Sequence, residues 1–593
     1  MRRILATAVL ALWMFASPAS AQWTPDTTVV LKGKVVTMTG QAAKPGQVHI
    51  KNGVIIAIKS ASAAIPPGAI VIDTRGYIYP GLMDLHNHLE YNFVPLYTVP
   101  KHAENHDDWP SGKAYDVGVN NPWKVATDAN IYNRSDEAFK FAEVRAMIGG
   151  ATTSQGADNN PAISKTLVRN VELENFGVDA VGQRSFTIDK LFWEHLAEQK
   201  DRIKAQVAWI NHCAEGIDEY SRKEFDNPAY DPSKPFHMKT NRPGLVQADL
   251  VWPGLVGVHC TALTEDDFKK WKSIAGGPAK IVWSPVSNLL LYGKTTDVAA
   301  AKRQGALIAL GTDWAPSGTK NMLWELKAVD RLNKTKLNNL FTEQQIIEMA
   351  TINAAKMVGW EKKVGKLEVG MVADILVTDD MRPAQGGGYR NLLMAVEANV
   401  QLVFVGGNPL YGDEAHLKRL KTYDNKPRYE LLPETAGARP KGIDMKEDTT
   451  VRNGDMSFAQ VRKNLQDALD LRPADLAKIL NDGVKESPTR TTYKGREYVK
   501  AQLVTLLTAK HLPVPASLTD ATAPITAEQA GQFLSLKYKN HLPGGKIETL
   551  FTDAAFLDRL EANLHWQPPY SAGIDLRSGL PSTTGMVNSV PGQ

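Results

Sequence analysis

Gly81-Leu82-Met83-Asp84-Leu85-His86-Asn87-His88-Leu89-Glu90 sets two imidazoles two positions apart, behind an apolar run and a Pro80-Gly81 turn. Side chains at i and i+2 of a strand face the same way, so His86 and His88 point together from one strand end, within reach of a single cation. A helical metal pair is spaced by four instead. The spacing therefore selects a strand-borne metal site. Alone it is weak, because solvated or core histidines are commoner than ligands. The residues downstream decide it.

Residues 80–362 alternate short apolar strands with helical stretches. Strands read at 82–86, 151–154, 207–212, 255–259, 281–284 and 307–313, with helices at 266–274 and 343–358. Residues 178–188 are a candidate for one of two strands that the pattern leaves poorly defined. Such alternation implies a parallel sheet covered by helices, and eight units close a (β/α)8 barrel. Three further strands end in titratable or metal-competent residues. One runs Val207-Ala208-Trp209-Ile210-Asn211-His212 into Cys213-Ala214-Glu215, a second ends at His259, and a third at Gly311-Thr312-Asp313. In a βα barrel the C-terminal strand ends form the mouth where chemistry happens. One such ending is coincidence; four in order are not.

Around this α/β core, residues 22–79 read as short strands with turns at Lys32-Gly33 and Asn52-Gly53. The same pattern returns in 363–430, at Ile375-Leu376-Val377 and Val400-Gln401-Leu402-Val403. The simplest arrangement is one small β-sandwich built from both flanks. Residues 431–593 form a mainly helical extension, with helices at 458–471, 473–482, 497–507, 527–536 and 554–562, and carry no catalytic motif. Two insertions, 91–138 and 220–252, interrupt the barrel rhythm and are rich in polar and aromatic residues, Trp109 and Trp123 among them. They read as lids, or as surface and subunit contacts.

The first 21 of the 593 residues have the layout of a secretory signal peptide: Arg2-Arg3, an apolar run from Ile4 to Phe15, and Ala19-Ser20-Ala21 as the cleavage site. Removing those two arginines takes the formal charge from +4 to +2. That argues against nucleic acid or an anionic membrane as the main partner. No later stretch is long and apolar enough to span a bilayer. A periplasmic or secreted protein acting on a small molecule is expected, and a homo-oligomer is compatible. The two cysteines, Cys213 and Cys260, each follow a histidine of the site and read as buried thiols behind the barrel wall, with a disulfide as the minor alternative.

The ordered set resembles the amidohydrolase superfamily across about residues 25–410, most strongly the branch of the cytosine deaminase, guanine deaminase and triazine hydrolase families. The matching stretches are Leu85-His86-Asn87-His88, His212-Cys213-Ala214-Glu215, Val258-His259, Ser284-Pro285-Val286-Ser287-Asn288, Gly311-Thr312-Asp313, Ala350-Thr351-Ile352-Asn353-Ala354-Ala355 and Gly365-Lys366-Leu367-Glu368-Val369-Gly370-Met371-Val372-Ala373-Asp374. The resemblance implies that His86, His88, His212 and Asp313 hold one divalent ion with a position open to water. Donors of this mix suit zinc first, iron or manganese less often. It further implies that Asp313 accepts the water's proton, that Glu215 shuttles protons to the leaving nitrogen, and that His259 stabilises the oxyanion or holds the water.

Alternatives stand beside these roles. Glu215 could be a surface carboxylate, and His259 a second metal ligand. Asp84, on the face of His86, reads as a packing or supporting residue. Trp283, Trp314 and Asn288 could contact substrate or wall the barrel. His195, with Glu194 and Glu198, reads as a solvated helix face. Some related families bridge two ions with a carboxylated lysine; Lys190 is the nearby candidate, but one metal is expected. The function that follows is an exported metal-dependent hydrolase cleaving a non-peptide C–N bond. Its finer forms are deamination or dehalogenation of a heterocycle, or hydrolysis of a dipeptide or carbamate. A barrel that only binds metal or ligand is the remote alternative.

Overall fold

A computed structural model describes residues 26–156, 167–173, 176, 181–184, 201–226, 251–382, 387–423, 426–434, 439–447, 456–483, 493–542, 544–564 and 576. The leader expected at 1–21, Lys190, the Glu194–His195–Glu198 stretch and most of the second insertion lie outside these residues.

The two flanks meet in one hydrogen-bonded sheet of nine strands, joined where Ile375–Thr378 pairs antiparallel with the end of Ile70–Pro80. The Asn52-Gly53 turn forms, both residues having positive φ (50° and 78°), the conformation a two-residue hairpin of matching twist demands. The expected Lys32-Gly33 turn does not. Val29–Val35 is one continuous strand. Glycine sits inside it because a Cβ on Gly33 would lie 2.6 Å from Thr74 Oγ1 and 2.8 Å from the Gly76 carbonyl, where the ladder shifts register. That glycine answers to close packing, not to a turn.

Among the described residues the central region supplies eight parallel strands in two sheets. Three are Leu82–Asp84, Ala151–Ser154 and Arg169–Asn170; five are Val181–Arg184, Ala208–Cys213, Leu255–His259, Lys280–Trp283 and Leu307–Leu310. Val181–Arg184 falls in the span expected for a missing strand, whereas Arg169–Asn170 was not anticipated; two residues leave no periodicity to read. The sheets join at one seam through a parallel bridge between Asn87 and Asp313. Among the described residues no ladder joins Arg169–Asn170 to Val181–Arg184. Side chains of both sheets nevertheless share one apolar cluster, including Met83, Val181, Ile210, Val256, Val282 and Ala309.

The helices follow their end signals. Glu265–Ala275 starts with a Thr264/Asp267 capping box and stops at Gly276 in the left-handed region. The single helix expected at 343–358 is two, Glu343–Met349 and Ile352–Met357. The break has a structural use: the Ala350 carbonyl accepts from Met83 N at 2.8 Å, tying it to the strand that begins at Leu82. The C-terminal helices appear as expected, with slightly different ends: Phe458–Asp470, Pro473–Asp482, Gly495–Ala509, Ala527–Lys537 and Ala554–Leu564. Phe458 stacks on Phe141, and Lys320 Nζ donates to the Thr549 and Phe551 carbonyls at 2.7 and 3.0 Å, so this extension is docked on the core. No described helix is long and apolar enough to cross a membrane.

Candidate metal centre and active site

The regular part of the first strand ends at Asp84, so His86 and His88 lie beyond it. They hold the strand direction through the seam: Asp313 N donates to the His86 carbonyl at 2.8 Å, and His88 N donates to the Asp313 carbonyl at 2.7 Å. This pairing brings residues 86, 88 and 313 together across more than two hundred positions of sequence. Asp313 and His259 both take left-handed backbone (φ 64° and 65°), a strained conformation for a non-glycine residue and one that clusters at functional sites.

The imidazoles of His86, His88, His212 and His259 crowd one mouth of the strands. Ring centroids are 4.7 Å apart for His86–His212, 5.0 Å for His86–His88, His86–His259 and His212–His259, and 5.4 Å for His88–His212. Asp313 Oδ1 is 3.0 Å from His86 Nε2 and 3.4 Å from His88 Nε2. Among the described residues, three groupings have ligand atoms within 4.8 Å of one another: His86–His88–His212, His86–His259–Asp313 and His212–Glu215–His259. Burial, the largest influence, pushes His86 and His88 down to about 4 and His212 to about 3. Asp313 lies well below the usual carboxylate range; burial opposes ionisation there, but His86, His259 and His88 outweigh it. Neutral imidazoles beside an ionised carboxylate are the protonation state that metal ligation needs. The buried His86 Nε2 and His259 Nε2 make no hydrogen bond. A nitrogen-rich, sulfur-free donor set with such orphaned atoms fits a divalent cation of the zinc type.

The residues behind these groups fix them. Ser287 donates to Asp313 Oδ2 at 2.5 Å, which leaves Oδ1 on the histidine side. Asn288 Oδ1 sits 2.8 Å from His259 Nδ1. That contact selects the Nδ1–H tautomer and turns the Nε2 lone pair into the site. Asp84 accepts from Thr312 N, Thr312 Oγ1 and Asn87 Nδ2 at 3.1, 2.5 and 3.0 Å, so it braces the seam, as its position suggested. Burial lifts its carboxyl to about 6. Ser287 carried no role in the sequence reading; its only signal was membership of the Ser284–Asn288 stretch.

Glu215 is buried, so the surface-carboxylate alternative is overturned. Its Oε1 lies 3.7 Å from His259 Nε2. Burial acts to raise this carboxyl, but His259, His212 and His106 prevail and hold it below the usual value. Of the two tryptophans left open, Trp283 faces the outer core, with Nε1 on Thr295 Oγ1. Trp314 walls the site, its ring centroid 5.9 Å from that of His88. Tyr91, Trp109 and Trp123 of the first insertion extend that wall, Tyr91 lying 5.1 Å from Trp314 and stacking on Trp123 at 4.6 Å. Cys213 and Cys260 are free and buried, as expected.

Residues 144–410 match the Amidohydrolase family. The chain is 31% identical over 169 residues to the 5-methylthioadenosine/S-adenosylhomocysteine deaminase of Symbiobacterium thermophilum, covering 27% of this chain and 38% of that one. It is 30% identical over 234 residues to the deaminase of the same name from Teredinibacter turnerae, covering 38% and 49%. The alignments thus span less than half the length of these curated relatives. Among solved structures, an adenosine deaminase from Xanthomonas campestris with bound zinc superposes with a TM-score of 0.49 at 18% identity, over 75% of this chain and 99% of that one.

Proposed function

With an amidohydrolase-superfamily segment at residues 144–410 as the premise, we propose that this protein is a metal-dependent hydrolase of carbon–nitrogen bonds, with His86, His88, His212 and Asp313 holding one divalent ion. One observation carries the reading: four imidazoles and two ionised carboxylates, from four separate stretches of chain, meet at a single strand mouth. When bound, such an ion supplies Lewis acidity and makes hydroxide available near neutral pH.

The chain's own groups do the rest. Asp313, steadied by Ser287, accepts the proton released by the attacking water. His259, its Nδ1–H spent on Asn288, offers Nε2 as an acceptor that orients this water. Glu215, ionised at rest, first takes up a proton from water at Oε2, which accepts no hydrogen bond among the described residues, and then passes it to the leaving nitrogen. The Trp314–Tyr91–Trp123 wall packs against a flat, apolar substrate face and keeps bulk water away.

Two features favour deamination of an aromatic nitrogen heterocycle over amide or carbamate cleavage: a buried proton carrier three residues beyond His212, and that aromatic wall. The relatives named as 5-methylthioadenosine/S-adenosylhomocysteine deaminases point the same way over the aligned stretch. The sequence of residues 1–21 supports export. The test is metal analysis together with turnover of aminated heterocycles, anilides and carbamates. Ammonia release with one metal per chain is expected. Amine plus acid would select amide cleavage, two metals per chain would overturn the mononuclear site, and retained metal with no turnover would leave a binding protein.

A further inference from the structure

The first insertion reaches Glu215 by a route that the reading above leaves unused. Trp109 Nε1 donates to the Tyr292 hydroxyl at 3.0 Å, and that hydroxyl donates to Glu215 Oε1 at 2.7 Å. Tyr292 closes the helix Pro285–Tyr292, whose first turns hold Ser287 on Asp313 and Asn288 beside His259. The phenol is buried, and burial with the neighbouring Glu215 carboxylate keeps it protonated, a donor and not an acceptor towards Glu215. The insertion is also held beside both Glu215 and Tyr292. Ile217 N donates to the Glu104 carbonyl at 2.7 Å, and Asn105 Nδ2 donates to Asp218 Oδ2 at 2.9 Å. On the other side Gly293 lies under His102 so closely that a Cβ there would fall 2.4 Å from its Nδ1.

We propose that Tyr292 is a positioning residue for Glu215, and that Trp109 completes a Trp109–Tyr292–Glu215 hydrogen-bond chain by which seating of the 91–138 insertion sets the proton-carrying carboxylate. By occupying Oε1, the chain fixes which carboxylate oxygen is left to the substrate. The proposal rests on Glu215 as the proton carrier of the proposed hydrolysis. A carboxylate without this donor still lies beside His259 but samples other rotamers, so the loss falls on kcat more than on KM.

The full-length metal-loaded protein and its Glu215→Gln, Tyr292→Phe, Trp109→Phe and Tyr292→Phe/Trp109→Phe variants test this. Tyr292→Phe keeps the ring and removes only the hydroxyl. Loss of such a supporting bond is expected to lower kcat about 10–100-fold, with metal content unchanged, and KM within about twofold. Trp109→Phe should cost less, and the double variant should match Tyr292→Phe, because both act through one chain. Hydrogen exchange supplies a readout that needs no turnover: amides of residues 103–112 should exchange faster in Tyr292→Phe than in the wild type. A Tyr292→Phe enzyme with unchanged kcat, or independent multiplication of the two single effects, overturns the chain while the hydrolase reading survives. Full activity in Glu215→Gln overturns the carboxylate's role and the chain with it. A wild type inert on every substrate class overturns the enzyme reading. Unchanged exchange in Tyr292→Phe overturns the coupling to the insertion alone.

Discussion

The strand mouth and the C-terminal helices are built by opposite rules. The mouth buries His86, His212, His259, Asp313, Glu215 and Asp84 within one region. The helical extension buries Val461, Leu465, Leu476, Leu503, Leu507 and Phe533, and carries charged pairs towards solvent, Lys463–Asp467 and Lys478–Asp482 among them. Burying ionisable groups costs stability unless they are paired or ligated, whereas burying aliphatic groups supplies it. The mouth therefore draws on the stability of the rest of the fold, and the extension adds to it. The two regions should fail in different currencies when mutated: function in one, folding free energy in the other.

The largest effect expected is at the centre of the mouth. His212→Ala removes an imidazole shared by two of the three candidate ligand groups. Metal content should fall from one equivalent to a small fraction, and turnover should fall to background. Metal analysis after dialysis, with thermal melting to establish folding, checks it; a variant that keeps both metal and turnover breaks the site assignment. Glu215→Gln comes next, because it removes the proposed proton carrier but none of the four proposed ligands. A loss of about 10²–10⁴-fold in kcat is expected, with metal retained, which separates proton transfer from metal binding inside the same mouth.

The contrast extends to what could be read without coordinates. The candidate residues His86, His88, His212, Glu215, His259 and Asp313 were legible because they sit at or just beyond the ends of apolar strands, and that pattern survives in one dimension. Of their supports, Asp84 was legible from its place on the face of His86, but the roles of Ser287, Asn288 and Tyr292 were not. Ser287 and Asn288 act from the first turns of a helix of eight residues, and Tyr292 from its last position, a run apolar enough to pass for plain core. The strand Arg169–Asn170 is too short to show alternation. The Lys32-Gly33 turn was misread because a glycine needed for close approach looks identical in sequence to one needed for a turn. The C-terminal helices were legible almost to the residue, since amphipathic spacing and caps are local; what they pack against is not.

Leu503→Ala probes the other side of the comparison. Leu503 is fully buried in the Gly495–Ala509 helix. Truncation should cost about 2–5 kcal/mol of stability, read by denaturant unfolding. kcat/KM per folded molecule should stay at the wild-type value. A comparable drop in kcat/KM would mean that the extension reaches the chemistry and that the division into two regimes is wrong.

Glu325 tests whether the mouth's burden extends one layer below the ligands. It is buried, accepts from Val286 N at 3.2 Å and Thr319 Oγ1 at 2.6 Å, and is raised to about 8, chiefly by burial, with Asp84 and Asp313 adding to it. Its ordinary value is 4.5. Between those two pH values the folded chain holds a proton that the unfolded chain has released. The stability this proton provides is fully present below 4.5 and is lost as pH rises to 8. The slope is at most about 1.4 kcal/mol per pH unit. Glu325→Gln lacks this titration. Its stability relative to the wild type should therefore improve from pH 5 to pH 8, measured by denaturation of both proteins at each pH; a constant difference would mean that Glu325 is ionised in the fold.

The smallest effect belongs to the charges of the extension. Lys463 pairs with Asp467 one helical turn away, with the lysine side chain 62% exposed. Water screens such a pair, and holding two long side chains in one geometry consumes most of the attraction. Lys463→Ala should shift stability by no more than about 0.5 kcal/mol, with turnover unchanged. The sign is informative even at that size. Alanine is the better helix former, so its propensity opposes the lost ion pair and a near-zero result is the expected balance. A loss above 1 kcal/mol, outside the range for an exposed pair, would show that this helix face is covered in the native protein, and the extension would then have to be regarded as an interface as well as a source of stability.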